Sequence, residues 1–399
     1  MKEPFLSAIP LLTKIEDEGY EAYFVGGSVR DLLLGREIDD VDIATSATPQ
    51  EIQAIFPKTI DVGVEHGTIV VLYGGRTYEV TTFRTESEYE DCRRPSEVQF
   101  IRSLREDLKR RDFTMNAIAM DRTGQLIDPF YGKQAIENKV IQTVGKAEER
   151  FSEDALRMMR AVRFFSQLNF GIETTTGEAL IQYAHLLKHI STERKLIEFE
   201  KLLAGKNRRN ALEMLHATGL YTYLPRMAQY SEGLTRMYKY DTANLIIEEM
   251  WAFLIYQLRI NESEINSFLK AWKLPIKKIK KVVQIVKWLK IRVKMDWTVD
   301  FLYEAGMETI LSTEKIYNLL HNQEINYRID DLYQQYEALP IKQRSELNVT
   351  GNDLQLWFQK KQGPWIKEKL ERVEKAVIHR KVSNHNQSIR EWLIACNQN

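Results

Sequence analysis

An α+β fold is predicted. Strand and helix signals alternate as far as about Gly145, and beyond that point apolar residues recur almost wholly at helical spacing. Gly and Pro are sparse in this second part. The 399 residues leave room for two to four domains of ordinary size.

The elements follow in order. AYFVGG reads as a short strand, VRDLLLG as the start of a helix and VDIAT as a second strand. TIVVLYGGRTYEVTTFR reads as two strands joined by a hairpin turn at Gly74-Gly75. ESEYEDCRRPS is polar and turn-like, and strand signals largely stop after VIQTVG. Helices are expected in FSEDALRMMRAVRFFSQL, in ERKLIEFEKLLAG and in ALEMLHATGL, then in a basic segment and onward to the end. The spacing predicts a mixed head at 1–147 and an all-helical remainder.

Composition excludes several classes. Hydrophobic residues at 44% and charged residues at 28% fit a globular chain, which excludes general disorder. No stretch nears the roughly 18 apolar residues of a membrane span. The N-terminal apolar patch is broken by Pro10 and Lys14, a poor signal peptide, so a cytosolic protein is expected. Cys92 and Cys396 are the only cysteines, too few for a disulfide scaffold or a Cys-rich zinc module. The seven histidines are scattered, with only His185 and His189 at helical spacing.

Fifty-six basic residues balance fifty-six acidic ones. From Lys270 to Lys294, however, ten basic residues occur without an acid. A solvated helix face is one reading. The interleaved Trp272 and Trp288 suit a second, contact with a phosphate backbone.

Four constellations carry possible chemistry. Gly26-Gly27-Ser28-Val29-Arg30-Asp31 follows a strand and opens a helix, where backbone N–H groups and Arg30 can hold an anion; a tight turn alone also explains the glycines. In Asp40-Val41-Asp42, strand alternation would place both carboxylates on one face, about 7 Å apart. Like charges so placed suit magnesium bound together with substrate phosphates, although an acidic strand end would look the same. Glu79, on a following strand, offers a third carboxylate. Such a cluster suits two-metal nucleotidyl transfer.

Arg110-Arg111-Asp112-Phe113-Thr114-Met115-Asn116-Ala117 reads as two arginines ahead of an apolar helix start, capped by Asp112 or Thr114. Glu153-Asp154-Ala155-Leu156-Arg157-Met158-Met159-Arg160-Ala161-Val162-Arg163 reads as one helix with Asp154 and Arg157 as neighbours. An ordinary i,i+3 ion pair is the plain alternative there.

In this order the motifs GGSVRD (26–31), DVD (40–42), RRDFTMNA (110–117), EDALRMMR (153–160) and ERKLIEFEKLL (193–203) resemble those of the class II tRNA nucleotidyltransferases. These are the CCA-adding enzymes of the DNA polymerase β-like superfamily. The similarity covers most of the chain and looks closest to enzymes of low-GC Gram-positive bacteria without a phosphohydrolase domain. It implies a polymerase β-like catalytic head with a small mixed sheet at 1–147. A helical neck at 148–205 would read the base, and a body at 206–300 and a tail at 301–399 would bind tRNA. The implied reaction adds C, C and A to the tRNA 3′ end from CTP and ATP with Mg2+, releasing pyrophosphate.

By the same resemblance Asp40 and Asp42 match metal ligands. Gly27, Arg30, Arg111, Asp154, Arg157, Arg160 and Arg163 match nucleotide-binding positions, beside Gly26 of the glycine pair. Residues 84–96 match a mobile loop associated with the switch from C to A addition. Departures from the family pattern stand at Asp39, Ala135 and Gln142. Asp154 accepts hydrogen bonds and Arg157 donates them, so cytosine and adenine can meet one edge where uracil or guanine would turn a carbonyl toward Asp154. Lys277, Lys278, Lys280, Lys281, Lys287 and Lys290 would hold tRNA phosphates. No membrane or protein partner is implied. Rival readings are a bacterial poly(A) polymerase, a CC- or A-adding relative, and a non-catalytic RNA-binding protein.

Overall fold

The computed structural model describes residues 1–86, 89–90, 94–95 and 98–396. Much of the segment expected to be a mobile loop, Cys92 included, therefore lies outside the described residues. The chain divides into two compact units, Met1–Tyr238 with Ala271–Lys273, and Lys239–Lys270 with the chain from Leu274 onward.

The first unit opens with α1 (Phe5–Asp17), whose Phe5, Ala8, Leu11, Leu12 and Ile15 repeat at helical spacing and are buried. A seven-stranded sheet follows: β1 (Ala22–Val25), β2 (Asp42–Thr45), β3 (Thr59–Gly63), β4 (Thr68–Tyr73), β5 (Arg76–Thr82), β6 (Ala119–Met120) and β7 (Leu126–Ile127). Their order is β7-β6-β1-β2-β5-β4-β3. Only the β2–β5 pairing is parallel. Parallel neighbours need a long crossover, and α3 (Pro49–Ile55) with the β3–β4 hairpin supplies it. The β4–β5 turn is Gly74-Gly75, as expected, with φ of +58° and +77°. That pair of positive φ values is what a right-twisted two-residue hairpin requires.

Phe24, Ile43, Val80 and Ile69 are successive register partners and form the fully buried face of the sheet. Phe5 of α1 meets Phe24 edge-on at 4.9 Å. The opposite face carries Val25, Asp42, Glu79, Val70 and Ile60 in one row. α2 (Gly27–Leu33) fills the β1–β2 connection.

Two expectations need correcting in the head. β2 begins at Asp42, so Asp40 precedes the strand and alternation does not set its direction. RRDFTMNA is no helix start: after α4 (Leu104–Lys109) only the single 3-10 turn Thr114–Asn116 forms, and it is buried. The side chain of Asp112 is spent on Phe113 N at 2.8 Å and Asn116 Nδ2 at 2.9 Å, closing a local loop instead of capping a helix.

Beyond α5 (Gly132–Glu137), the expected single helix 153–163 is two: α6 (Ala147–Glu153) and α7 (Leu156–Leu168). Asp154 separates them in extended backbone, φ −138° and ψ 100°. One strand pair escapes the expected boundary near Gly145, because Gly171–Ile172 runs parallel to Val140–Ile141. α8 (Thr174–Tyr183), α9 (Thr192–Leu203), α10 (Arg208–Ala217) and α11 (Ser231–Met237) complete this unit. Gly205 lets the chain after α9 touch α7: a methyl there would lie 2.2 Å from Ser166 Oγ.

The second unit is helical among its described residues. α12 (Ile247–Gln257), α14 (Ile276–Arg292) and α16 (Met307–Leu320) pack together, with α13 (Glu262–Ala271) and α15 (Val299–Ala305) between them in sequence. A buried bidentate pair, Arg292 to Glu314 at 2.8 and 3.0 Å, links α14 to α16. A separate apolar cluster around Leu354, Val377, Ile389 and Leu393 forms the core toward the end of the chain.

Candidate active site

A cleft of about 760 Å3 in the first unit gathers residues far apart in sequence. Nine cations are among its described lining residues: Arg30, Arg84, Arg110, Arg111, Arg157, Arg160, Arg163, Arg194 and Lys201. Three acids, Asp42, Asp112 and Asp154, share it. So strong an excess of fixed positive charge in a concave site favours a polyanionic ligand.

The glycine turn stands at its centre. Gly26 has φ +72° and ψ −137°, a backbone that side chains disfavour. A methyl on it would lie 3.2 Å from Arg111 Nη1 and 3.4 Å from Asp42 Oδ2, so both groups close on the side-chain position that Gly26 leaves empty. Gly27 starts α2 and leaves its N-terminus bare toward Arg30. Arg30 is held rigidly: it donates twice to Asp31, at 3.0 and 2.8 Å, and once to Asn116 Oδ1 at 2.8 Å.

Asp42 lines the cleft, while Asp40 lines an adjoining hollow with Asp39, Arg76 and Tyr78. Asp42 and Glu79 are direct register partners on parallel strands, so both carboxylates leave the same face. Loss of surrounding water raises the pKa of Asp42; Arg111 opposes this, while the charges of Glu79 and Asp40 add to it. Hard oxygen donors crowded by like charge are a set that a divalent cation fits. No three His, Cys, Asp or Glu among the described residues form a complete metal cage. Magnesium needs none, since it takes one or two carboxylates and fills its shell with substrate phosphates and water.

The arginines are fixed by buried acids. Asp107, 1% exposed, receives Arg110 at 2.7 Å and Arg111 at 3.2 Å. Burial raises its pKa, but the two guanidinium charges outweigh this and leave it lowered. Asp112 is treated likewise: burial opposes ionisation, yet Arg160 at 2.6 Å and the amide of Asn116 hold it far below the usual carboxylate range. Arg163 sits 3.0 Å from Glu198 and 3.9 Å above the ring of Phe164. Burial first, and then the charge of Arg160, lower its pKa to about 10. Arg30 and Arg160 also approach that ring, at 5.1 and 5.5 Å, so three guanidinium groups converge on Phe164.

The expected Asp154–Arg157 neighbours are not paired. Asp154 Oδ2 accepts from Arg194 of α9 at 2.7 Å, and its Oδ1 accepts from Leu156 N at 3.1 Å. Arg157 donates to Glu153 at 2.6 Å and to the Arg110 carbonyl at 2.8 Å. Asp154 lies between α6 and α7 in extended backbone, so its side chain reaches α9 even though Arg157 N still donates to the Asp154 carbonyl at 3.0 Å. Both side chains nevertheless line the cleft, as do Arg160 and Arg163. Arg110 lines the cleft beside Arg111, whereas Arg84, Asn116, Arg194 and Lys201 are not individually marked as site residues by the sequence. For Arg194 and Lys201 a signal existed, because ERKLIEFEKLL contains both.

The basic segment, in the second unit, divides. Lys277, Lys280 and Lys287 are exposed, and their spacing places them along one stripe of α14. Lys281 meets Glu308 at 2.5 Å and Lys290 approaches Glu262 at 3.8 Å; Lys278 is half-buried. The expectation for the tryptophans fails. Trp272 and Trp288 are 0% and 1% exposed, stacked on Phe199 at 4.7 Å and edge-on to Phe301 at 5.4 Å respectively. Both are core side chains and do not face outward with the lysines.

Comparison with known proteins agrees with this geometry. Residues 22–142 match the family model of the Poly A polymerase head domain, and residues 246–393 match that of tRNA nucleotidyltransferase domain 2. A CCA-adding enzyme of Geobacillus sp. strain WCH70 is 52% identical over 99% of this chain and 98% of its own length. One from Bacillus cereus strain AH187 is 49% identical over 99% of each chain. The crystal structure of the Bacillus stearothermophilus CCA-adding enzyme in complex with CTP superposes with a TM-score of 0.92 at 48% identity, over 100% of this chain and 98% of that one. With carboxylates on one sheet face, a glycine turn and a cationic cleft arranged as described, and with such relatives along its full length, the chain belongs to the family of CCA-adding enzymes.

Proposed function

We propose that this chain adds C, C and A in turn to the 3′ end of tRNA from CTP and ATP, releasing pyrophosphate, with Mg2+ as its metal. The observation that carries the reading is that Asp42 and Arg111 both approach the side-chain position that Gly26 leaves empty. A carboxylate suited to a cation and a guanidinium suited to a phosphate thus meet at a turn that only glycine fills without crowding. Gly26, Gly27, Arg30 and Arg111 cradle the triphosphate. Asp42, with Asp40 and Glu79, would hold magnesium, which when bound supplies charge neutralisation at the reacting phosphate. Asp154 and Arg157 present an acceptor and donors to the base, and Arg160 and Arg163 complete the walls.

The terminal ribose hydroxyl attacks the α-phosphate and pyrophosphate departs. Reading the base with protein groups removes the need for a nucleic-acid template. The division into head 1–147, neck 148–205, body 206–300 and tail 301–399 assigns catalysis and base reading to the first two parts. It assigns tRNA binding to the last two, through Lys277, Lys280 and Lys287 foremost and Lys278, Lys281 and Lys290 beside them. Among the described residues no helix is long and apolar enough to cross a membrane. Work in the cytoplasm, where tRNA and both nucleotides are found, fits this reading.

The test uses a tRNA lacking its last three nucleotides, incubated with CTP, with ATP, or with both, followed by sequencing of the products. Two C residues from CTP alone and a product ending at CCA from both are expected. A run of A from ATP alone would point to a poly(A) polymerase instead, and no incorporation at all to a binding protein.

A further inference from the structure

The sheet face that carries the carboxylates continues past them. Asp42, Glu79, Val70 and Ile60 are successive register partners across β2, β5, β4 and β3, so their side chains leave one face. On the β1 side that face is closed, since Val25 and Ala44 pack with Leu104, Leu108 and Ala117. On the β3 side it is open among the described residues. Ile60 is 50% exposed, Leu72 is 38% exposed and Val70 is half-buried. Thr68 and Thr81, partners in the same ladder, place hydroxyls 3.1 Å apart. Three strand steps of ~4.8 Å carry the row about 14 Å beyond Asp42.

Folding does not call for this apolar surface. The core lies on the other face, and exposed edges of sheets are usually guarded by polar side chains. A contiguous exposed apolar patch rimmed by polar groups marks a binding surface. The chemistry next door says what must arrive there. In-line transfer brings the attacking hydroxyl to the side of the phosphorus opposite the leaving pyrophosphate. The cations that take the triphosphate, Arg30 and Arg111, stand with the glycine turn. The hydroxyl-bearing strand therefore approaches Asp42 from the far side, across Glu79 and the open face.

We infer that Ile60, Val70 and Leu72 form a shelf that receives the last nucleotides of the RNA acceptor, touching sugar edges and base faces and leaving the phosphates in water. The inference rests on the nucleotidyl-transfer reading above and deepens it. Single-stranded RNA ends are commonly held by their base faces, which is tolerant of sequence because every base has one. Such tolerance suits a site whose acceptor ends in a different nucleotide after each addition. The threonine hydroxyls can serve a ribose 2′-OH as donor or acceptor.

The experiment compares the full chain with Ile60→Ser, Leu72→Ser and the double variant, using tRNA that lacks its last three nucleotides. The thermal midpoint is followed for each, and Ile60→Val serves as the conservative control. A KM for tRNA about 10-fold higher in the double variant is expected, with the KM for CTP and the salt dependence of tRNA binding unchanged and Ile60→Val close to the parent. An unchanged KM for tRNA overturns the shelf. So does an equal rise in both KM values, or a sedimentation change without a kinetic one, which would make the patch a contact between copies. Cross-linking from a 4-thiouridine placed at the tRNA 3′ terminus needs no turnover, so it separates this inference from the catalytic reading. Label on the peptide spanning residues 58–73 supports the shelf, and label confined to other peptides overturns it.

Discussion

Asp154 accepts at Oδ2 from Arg194 of α9 at 2.7 Å, while Arg157 three residues along donates to Glu153. The two groups expected to read the base are thus each anchored by a separate partner before any nucleotide arrives. Arg194 fixes the direction of the Asp154 carboxylate, and fixed direction is what lets one acceptor discriminate between an amine and a carbonyl. Replacing Arg194 with Ala is expected to lower the preference for CTP over UTP by about 10-fold, within the ~1–3 kcal/mol that a good bidentate base contact provides. Arg194→Lys should restore part of it. Misincorporation assays with each nucleotide measure this; unchanged selectivity would mean Arg194 only supports the helix packing.

Gly26 gives a second prediction. A side chain there must adopt φ near +72° and press on Arg111 and Asp42. Gly26→Ala should cost about 1–3 kcal/mol of stability through backbone strain and reduce kcat more than it raises the KM for tRNA. Urea unfolding and steady-state kinetics separate the two effects.

The lysine stripe predicts a difference within α14. Neutralising exposed Lys277, Lys280 and Lys287 should weaken tRNA binding and flatten its salt dependence by about 1 in log–log slope per lysine. Neutralising Lys281 and Lys290, which face Glu308 and Glu262, should do less. Filter binding between 50 and 200 mM salt, roughly the range over which phosphate contacts are lost, reads both.

Acid sensitivity has a defined source at α3. Glu51 receives Arg102, which lowers its pKa to about 2 against the small opposing cost of burial, with Thr48 adding hydrogen bonds from the capping box. Because the folded value lies below the ordinary 4.5, this stabilisation is complete above pH 4.5 and is lost as pH falls from there toward about 2. Thermal midpoints of the parent and of Glu51→Gln should differ at pH 6, draw together below pH 4.5 and converge only as pH approaches about 2.

Much of this was legible in the residues. The Gly74-Gly75 hairpin, β1, α2 and the helical remainder follow from turn chemistry and periodicity, which are local properties. Less local features were hidden. The break at Asp154 depends on where α6 ends against the rest of the unit, and nothing in EDALRMMR interrupts its helical pattern. Trp272 and Trp288 looked like surface aromatics because charges surround them in sequence; in α14 the charges lie on faces other than that of Trp288, and Trp272, between α13 and α14, is buried against Phe199. The anchoring of Arg160 by Asp112 joins segments that only the fold brings together, whereas Asp107 holds Arg110 and Arg111 at local i,i+3 and i,i+4 spacing.

The central claim is that Asp42, on the open face beside the glycine turn, serves the transfer step. The most direct measurement is single-turnover incorporation by Asp42→Asn, alongside tRNA and CTP binding by the same variant. Incorporation lower by on the order of 1,000-fold, the scale on which preorganised charge contributes to catalysis, is expected, with tRNA binding retained. Incorporation near that of the parent chain would contradict it.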